Sequence, residues 1–242
     1  MIMARRYRRW LWATLALVAA GLAALAWSVG FFDRDPDRFF DAGPRRPKYA
    51  AVLFSGDLGL RYGMSSHIAV ALKDKGVPVL GISSPAAFPT RKTRAETDRI
   101  VAHAIRDALK RTGASQVLLM GQSFGADIAR VGLRDLPPVL RPKVAAAVLV
   151  VPGSDAFFRA DPSNLTYHTA PDAGSEEAAR IDWLPIVCVQ GSAERDSLCP
   201  VLTQRNARRA VLPGGHFLQR NHELLTRTIM KSLDEMLGPQ WR

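Results

Sequence analysis

The sequence predicts an α/β fold, a mostly parallel sheet with helices on both faces, preceded by one N-terminal transmembrane helix. Three observations predict it. From Tyr49 onward, short apolar runs alternate with segments whose apolar residues recur every three to four positions. Strands separated by helices are joined by crossovers, which makes neighbouring strands parallel. The central strand-like runs, such as Val117 to Met120 and Val144 to Val151, are apolar throughout rather than at alternate positions, as expected where both faces of a sheet are buried. Finally, Leu11 to Phe32 is a run of 22 residues without a charge, long enough to cross a hydrocarbon core of about 30 Å.

Taken in order, residues 1–10 form a basic segment, 11–32 a membrane anchor, 33–48 a linker and 49–242 the folded domain. Arg5, Arg6, Arg8 and Arg9 stand before the apolar run and are expected to stay in the cytoplasm, which sends the domain to the far side of the membrane. Trp10, Trp12 and the stretch Trp27 to Phe32 suit the two interfacial belts. A cleaved periplasmic form is the alternative, because Ala24-Leu25-Ala26 resembles a signal-peptidase site. Asp33 to Lys48 has no steady period and reads as linker.

Within the domain, strands are expected at Tyr49 to Phe54, Val77 to Ile82, Val117 to Met120, Val144 to Val151, Ile186 to Gln190 and Arg209 to Leu212. Helices are expected at Ser65 to Lys75, behind Thr93 up to Gly113, after Ser123, and from Glu223 to Leu237, stopped by Gly238-Pro239. Thr93 and Glu96 have the spacing of a capping box. Phe158 to Arg180 has the weakest pattern and reads as a surface loop or a cover over the site.

The formal charge is +11, of which the four N-terminal arginines leave +7 on the remainder. Such a balance favours an anionic surface. Without zinc-finger spacing or basic-aromatic alternation, that surface reads as membrane, and no direct nucleic-acid binding is expected. The two cysteines, Cys188 and Cys199, are expected to form a disulfide in an oxidising compartment. The five histidines show no metal-ligand spacing, so neither a metal nor a cofactor is expected.

The chemistry centres on Val117 to Met120 followed by Gly121-Gln122-Ser123-Phe124-Gly125 and then a helical pattern. Strand, sharp turn and helix around Gly-x-Ser-x-Gly are what a nucleophile elbow requires, and the arrangement as a whole is that of a compact α/β-hydrolase. Ser123 is the expected nucleophile. A serine hydroxyl needs a base, and that base an orienting acid, in the chain order serine, acid, histidine. His216, on the glycine-rich loop after the last strand, is the expected base, with His222 its competitor. Asp196 is the expected acid, Glu194 the second candidate and Asp155 the third. The oxyanion hole is expected from the N–H of Phe124 and that of Asp57 or Leu58, which follow the first strand of the domain.

Phe54 to Gly59, Gly121 to Asp127, Leu136 to Arg141, Asp196 to Pro200 and Leu212 to Phe217 together resemble signature segments of the VirJ/AcvB family of bacterial periplasmic proteins. The resemblance implies a lid-poor α/β-hydrolase with Ser123, Asp196 and His216 as its triad. It implies hydrolysis of an aminoacylated phospholipid, lysyl-phosphatidylglycerol being the best-known substrate, at the outer leaflet of the inner membrane. Secretion-system proteins are the further partners it implies, since some members are linked to virulence and type IV secretion. An aminoacyl substrate carries an ammonium group, for which Asp57, Asp127 and Asp155 are the candidate acids. The chain departs from the family pattern at Leu58-Gly59-Leu60, where Gly-Gly-Trp is usual, and at Ile82 to Phe88, which lacks the aspartate and paired aromatics. Two further readings stand beside the lipid hydrolase: a general carboxylesterase or lipase, and a non-catalytic accessory protein of a secretion system.

Overall fold

The computed structural model describes residues 2–43, 47–238 and 241. Part of the expected linker (residues 44–46) and Pro239 of the expected helix stop lie outside the described residues.

Seven strands form one sheet in the order β1-β3-β2-β4-β5-β6-β7. They are β1 (Asp37–Phe40), β2 (Tyr49–Phe54), β3 (Val79–Ile82), β4 (Gln116–Gln122), β5 (Val144–Val150), β6 (Ile186–Gly191) and β7 (Ala207–Leu212). Strands β2 to β7 pair in parallel, while β1 joins β3 antiparallel at one edge. The helices are α1 (Ile2–Ser28), α2 (Met64–Asp74), a single turn α3 (Ser84–Ala87), α4 (Arg94–Thr112), α5 (Phe124–Arg134) and α6 (His222–Leu237).

Strand periodicity explains why the central strands are apolar at every position. Val52 and Phe54 of β2 and Val117 and Leu119 of β4 face one core with Val101, Ile105 and Ile128 of α4 and α5. The residues between them, Ala51, Leu53, Leu118 and Met120, face the other core with Ile68, Leu72, Leu225 and Ile229 of α2 and α6. The expected capping box is present, Thr93 accepting from the N–H of Glu96 while the Glu96 carboxylate accepts from the N–H of Thr93. At its other end α4 closes on Gly113 in the left-handed region.

The segment expected as linker is largely structured. After Ser28 the chain is buried at Val29 and Gly30, and Asp33 pairs with Arg61 at 3.3 Å. The N–H of Ser83 donates to the carbonyl of Pro36, and Asp37 then pairs with Ile82 as β1 begins. The sequence hides this strand because four residues, Asp37-Arg38-Phe39-Phe40, are too few to establish a period. Helix α1 is exposed along most of its length, and Arg8–Ser28 is long and apolar enough to cross a membrane.

Candidate active site

The carboxyl ends of the parallel strands carry the loops on which the expected functional residues sit, the edge where open α/β sheets place their sites. Strand β4 passes into α5 through Ser123, whose φ of 54° and ψ of −127° lie outside the ordinary regions. Strand and helix meet so closely that a Cβ on Gly121 would lie 2.1 Å from the carbonyl oxygen of Gly125. A Cβ on Gly125 would lie 2.3 Å from the carbonyl oxygen of Phe54, the last residue of β2. Only glycine fits at either position, and the same contact sets the elbow against the loop that follows β2.

Ser123 Oγ lies 2.8 Å from His216 Nε2, and His216 Nδ1 lies 2.7 Å from Glu194 Oε1. With Glu194 ionised, Nδ1 carries the proton and Nε2 is left to accept the serine proton. The structure therefore brings Ser123 and His216 together as expected but places Glu194, not Asp196, on the histidine. The reason is the path of the loop after β6. The N–H of Glu194 bonds back to Gly191, the N–H of Ala193 bonds to Gly214, and Glu194 Oε2 accepts from the N–H of Gly191. These bonds press position 194, with its side chain 5% exposed, against the 213–216 loop. Two residues later the chain turns away. Asp196 is exposed, its carbonyl accepts from the N–H of Ser154, and Ser197 bridges Gly153.

The Cys188–Cys199 disulfide is formed, tying β6 to the end of this loop. For so short a closed loop it contributes about 2 to 3 kcal/mol. Behind His216 the chain runs through Leu218, Gln219 and Arg220, three successive residues with φ of 49°, 53° and 56°. Each costs on the order of 1 kcal/mol in the left-handed region. The competing candidate, His222, begins α6 and stacks on His67 with ring centroids 4.0 Å apart, while the bond to Ser123 is made by His216.

Phe124 is the first residue of α5, so its N–H has no carbonyl one turn earlier and points out at the positive end of the helix. After β2, the turn closed by the N–H of Gly59 on the carbonyl of Gly56 holds Asp57 and Leu58. Ser55 fixes this turn from below, its Oγ accepting from the N–H of Ser84 and its carbonyl from the Ser84 hydroxyl. Gln122, beside Ser123, accepts from the Ser65 hydroxyl and packs on Gly56.

The three candidate acids have different surroundings. Asp57 Oδ1 accepts from the Tyr167 hydroxyl and from the N–H of Asp161 at 2.8 Å, and burial raises its pKa against those bonds. Asp127 is buried in the first turn of α5, 3.8 Å from Arg130 Nε, and desolvation pushes its pKa well above the ordinary carboxylate range. Arg130 in turn donates to the carbonyls of Gly174 and Ser154. Asp155 is exposed. Asp57 and Arg130 are thus posts on which the long β5–β6 connection hangs, and Tyr167 is a site neighbour that sequence reasoning missed. Its segment has no period, and nothing local links it to Asp57, 110 positions away.

Comparison with solved structures places the fold among α/β-hydrolases. The esterase Est1E from Butyrivibrio proteoclasticus superposes with a TM-score of 0.61 at 12% identity, over 84% of this chain and 94% of that one. The Pyrococcus furiosus esterase Pf2001 gives 0.62 at 13% identity, over 84% and 85%. A putative thioesterase from Silicibacter gives 0.55 at 22% identity, over 84% and 87%. No curated protein sequence matches the chain. The family described as "Bacterial virulence protein (VirJ)" matches residues 48–237, a span that holds the elbow, the acid loop and the histidine loop, and the chain belongs to that family.

Proposed function

We propose that the protein is an exported, membrane-anchored serine hydrolase that cleaves the ester of an aminoacylated phospholipid. The observation that carries the reaction type is the unbroken relay from Ser123 Oγ through His216 to the buried carboxylate of Glu194. In this reading His216 Nε2 takes the serine proton as Oγ attacks the ester carbonyl. The N–H groups of Phe124 and of the Asp57-Leu58 turn hold the oxyanion. Protonated His216 then delivers its proton to the departing glycerol oxygen. Water, deprotonated by the same nitrogen, releases the amino acid from the acyl-enzyme. Membership of the VirJ family, the span-length apolar α1 and the disulfide support a lipid substrate outside the cytoplasm. Asp57 lies in the oxyanion turn itself, so it is the acid assigned here to the substrate ammonium.

Two measurements test the reading. Ser123→Ala in the purified chain is expected to abolish labelling by a fluorophosphonate and to lower ester hydrolysis by at least about 10³-fold, with the thermal midpoint unchanged. Full activity in that variant would end the reading. Hydrolysis of simple acyl esters in place of aminoacyl lipid by the unaltered protein would favour a general esterase.

A further inference from the structure

We infer that the sheet edge carrying Ser123 and His216 faces the bilayer that holds α1, so that substrate enters sideways from the lipid rather than from solution. The inference rests on the lipid-hydrolase reading and adds where and how the lipid arrives.

The first observation is where the anchor joins the domain. The span-length part of α1 ends at Ser28, and the next two residues, Val29 and Gly30, are buried. They are buried by the turn that follows β2. A Cβ on Gly59 would lie 2.5 Å from the carbonyl oxygen of Val29 and 3.2 Å from Ser83 Oγ. Asp33 pairs with Arg61 of the same turn, and Pro36 is bonded by Ser83 at the end of β3. The anchor is therefore seated against the turn carrying Asp57 and Leu58, with no slack between the end of the span and that contact. A helix that leaves the domain at this edge brings the membrane surface to this edge.

The second observation is independent of the first. On the carboxyl-end side of the sheet, Phe32, Leu58, Tyr62, Leu165 and Phe217 have exposures between 40% and 71%. Leu58 and Tyr62 belong to the turn after β2, Phe217 follows His216, and Leu165 lies on the segment bonded to Asp57. Elsewhere on the connections of the domain, the comparably exposed large apolar side chains among the described residues are three valines, Val70, Val139 and Val201, each smaller than the side chains at this edge. Such one-sided exposure is costly in water and is relieved by insertion into the interface. The seat of the anchor names the occupant: the bilayer, rather than a protein partner, is what these side chains meet.

The test uses the full chain reconstituted in vesicles of phosphatidylglycerol and phosphatidylcholine. Because Cys188 and Cys199 are paired, Tyr62→Cys, Leu165→Cys and, at the opposite edge, Lys143→Cys each supply one thiol for a nitroxide label. Labels at 62 and 165 are expected to be at least about fivefold less accessible to a water-soluble nickel chelate than the label at 143, while remaining accessible to oxygen, which partitions into lipid. Equal nickel accessibility at all three positions would overturn the inference. So would loss of both nickel and oxygen access at 62 and 165, which marks a protein contact. In a second arm, Tyr62→Ser with Leu165→Ser should lower hydrolysis of vesicle-embedded substrate while leaving a short soluble ester unaffected. Equal loss on both substrates, or no loss on either, counts against it. The label experiment needs no catalysis, so failure of the proposed activity and failure of the docking are told apart.

Discussion

Glu194 and Asp196 stand two residues apart on one loop, and either carboxylate could reach a histidine in an extended chain. What separates them is backbone. The bonds of Ala193, Glu194 and Gly191 fold the first half of the loop onto the histidine segment, while Ser154 and Ser197 pull the second half the other way. Glu194→Gln keeps the shape but offers His216 Nδ1 an amide in place of a full negative charge, so the imidazolium formed during attack loses its partner. The expected result is a fall in kcat of on the order of 10³-fold or more with KM little changed. Asp196→Asn should stay within about twofold of the parent. Comparable losses in the two variants would show that the acid role is not Glu194's alone. The pairing of Ser123 with His216 was legible in the sequence because each has a local signature, the Gly-x-Ser-x-Gly turn and a histidine on a glycine-rich loop. The carboxylate partner of His216 was not, because two carboxylates of equal chemistry are ranked by where the loop folds, through bonds to Gly191 within it and to Gly214 and Ser154, 20 or more positions away.

The same limit governs whole elements. Every strand and helix with a sustained period was legible, and their ends shifted by only one or two residues, as between the expected Glu223 and the observed His222 at the start of α6. The β5–β6 connection was not, since its order comes from polar posts rather than periodicity. One post is Asp161, whose carboxylate accepts from the N–H groups of Ser163 and Thr166 and from the Ser163 hydroxyl. Desolvation opposes ionisation there, yet the bonds from Ser163 and Thr166 outweigh it and draw the pKa from 3.8 to about 2. A depressed carboxylate stabilises the fold fully above its unfolded pKa, and that stability is lost as the pH falls from about 4 towards about 2. Asp161→Asn should therefore lower stability at pH 7 and flatten its decline below pH 4, measured as urea midpoints across that range. A variant whose midpoint falls with acid as steeply as the parent's would remove Asp161 from that role.

At the scale of the whole molecule, the sequence divides the chain into anchor, linker and domain, and the fold joins the last two. Four residues of the expected linker complete the sheet, because a hydrogen-bonded edge strand needs little apolar periodicity when its partner supplies the ladder. The strand it covers, β3, is buried at all four positions, Val79 to Ile82, and is short of polar side chains. Sequence similarity to the VirJ family begins only at residue 48. A soluble protein trimmed to that boundary would keep the relay from Ser123 to Glu194 intact but lay bare the backbone edge of an apolar strand, a template on which other copies can pair. Trimmed at Asp33 instead, the chain retains β1 as its own cover. Size-exclusion chromatography of the two forms should find the shorter one in large assemblies and the longer one monodisperse. If the shorter one were monodisperse as well, β3 would not need this cover. The residues that read as a tether are, in this sense, the sheet's guard against self-association.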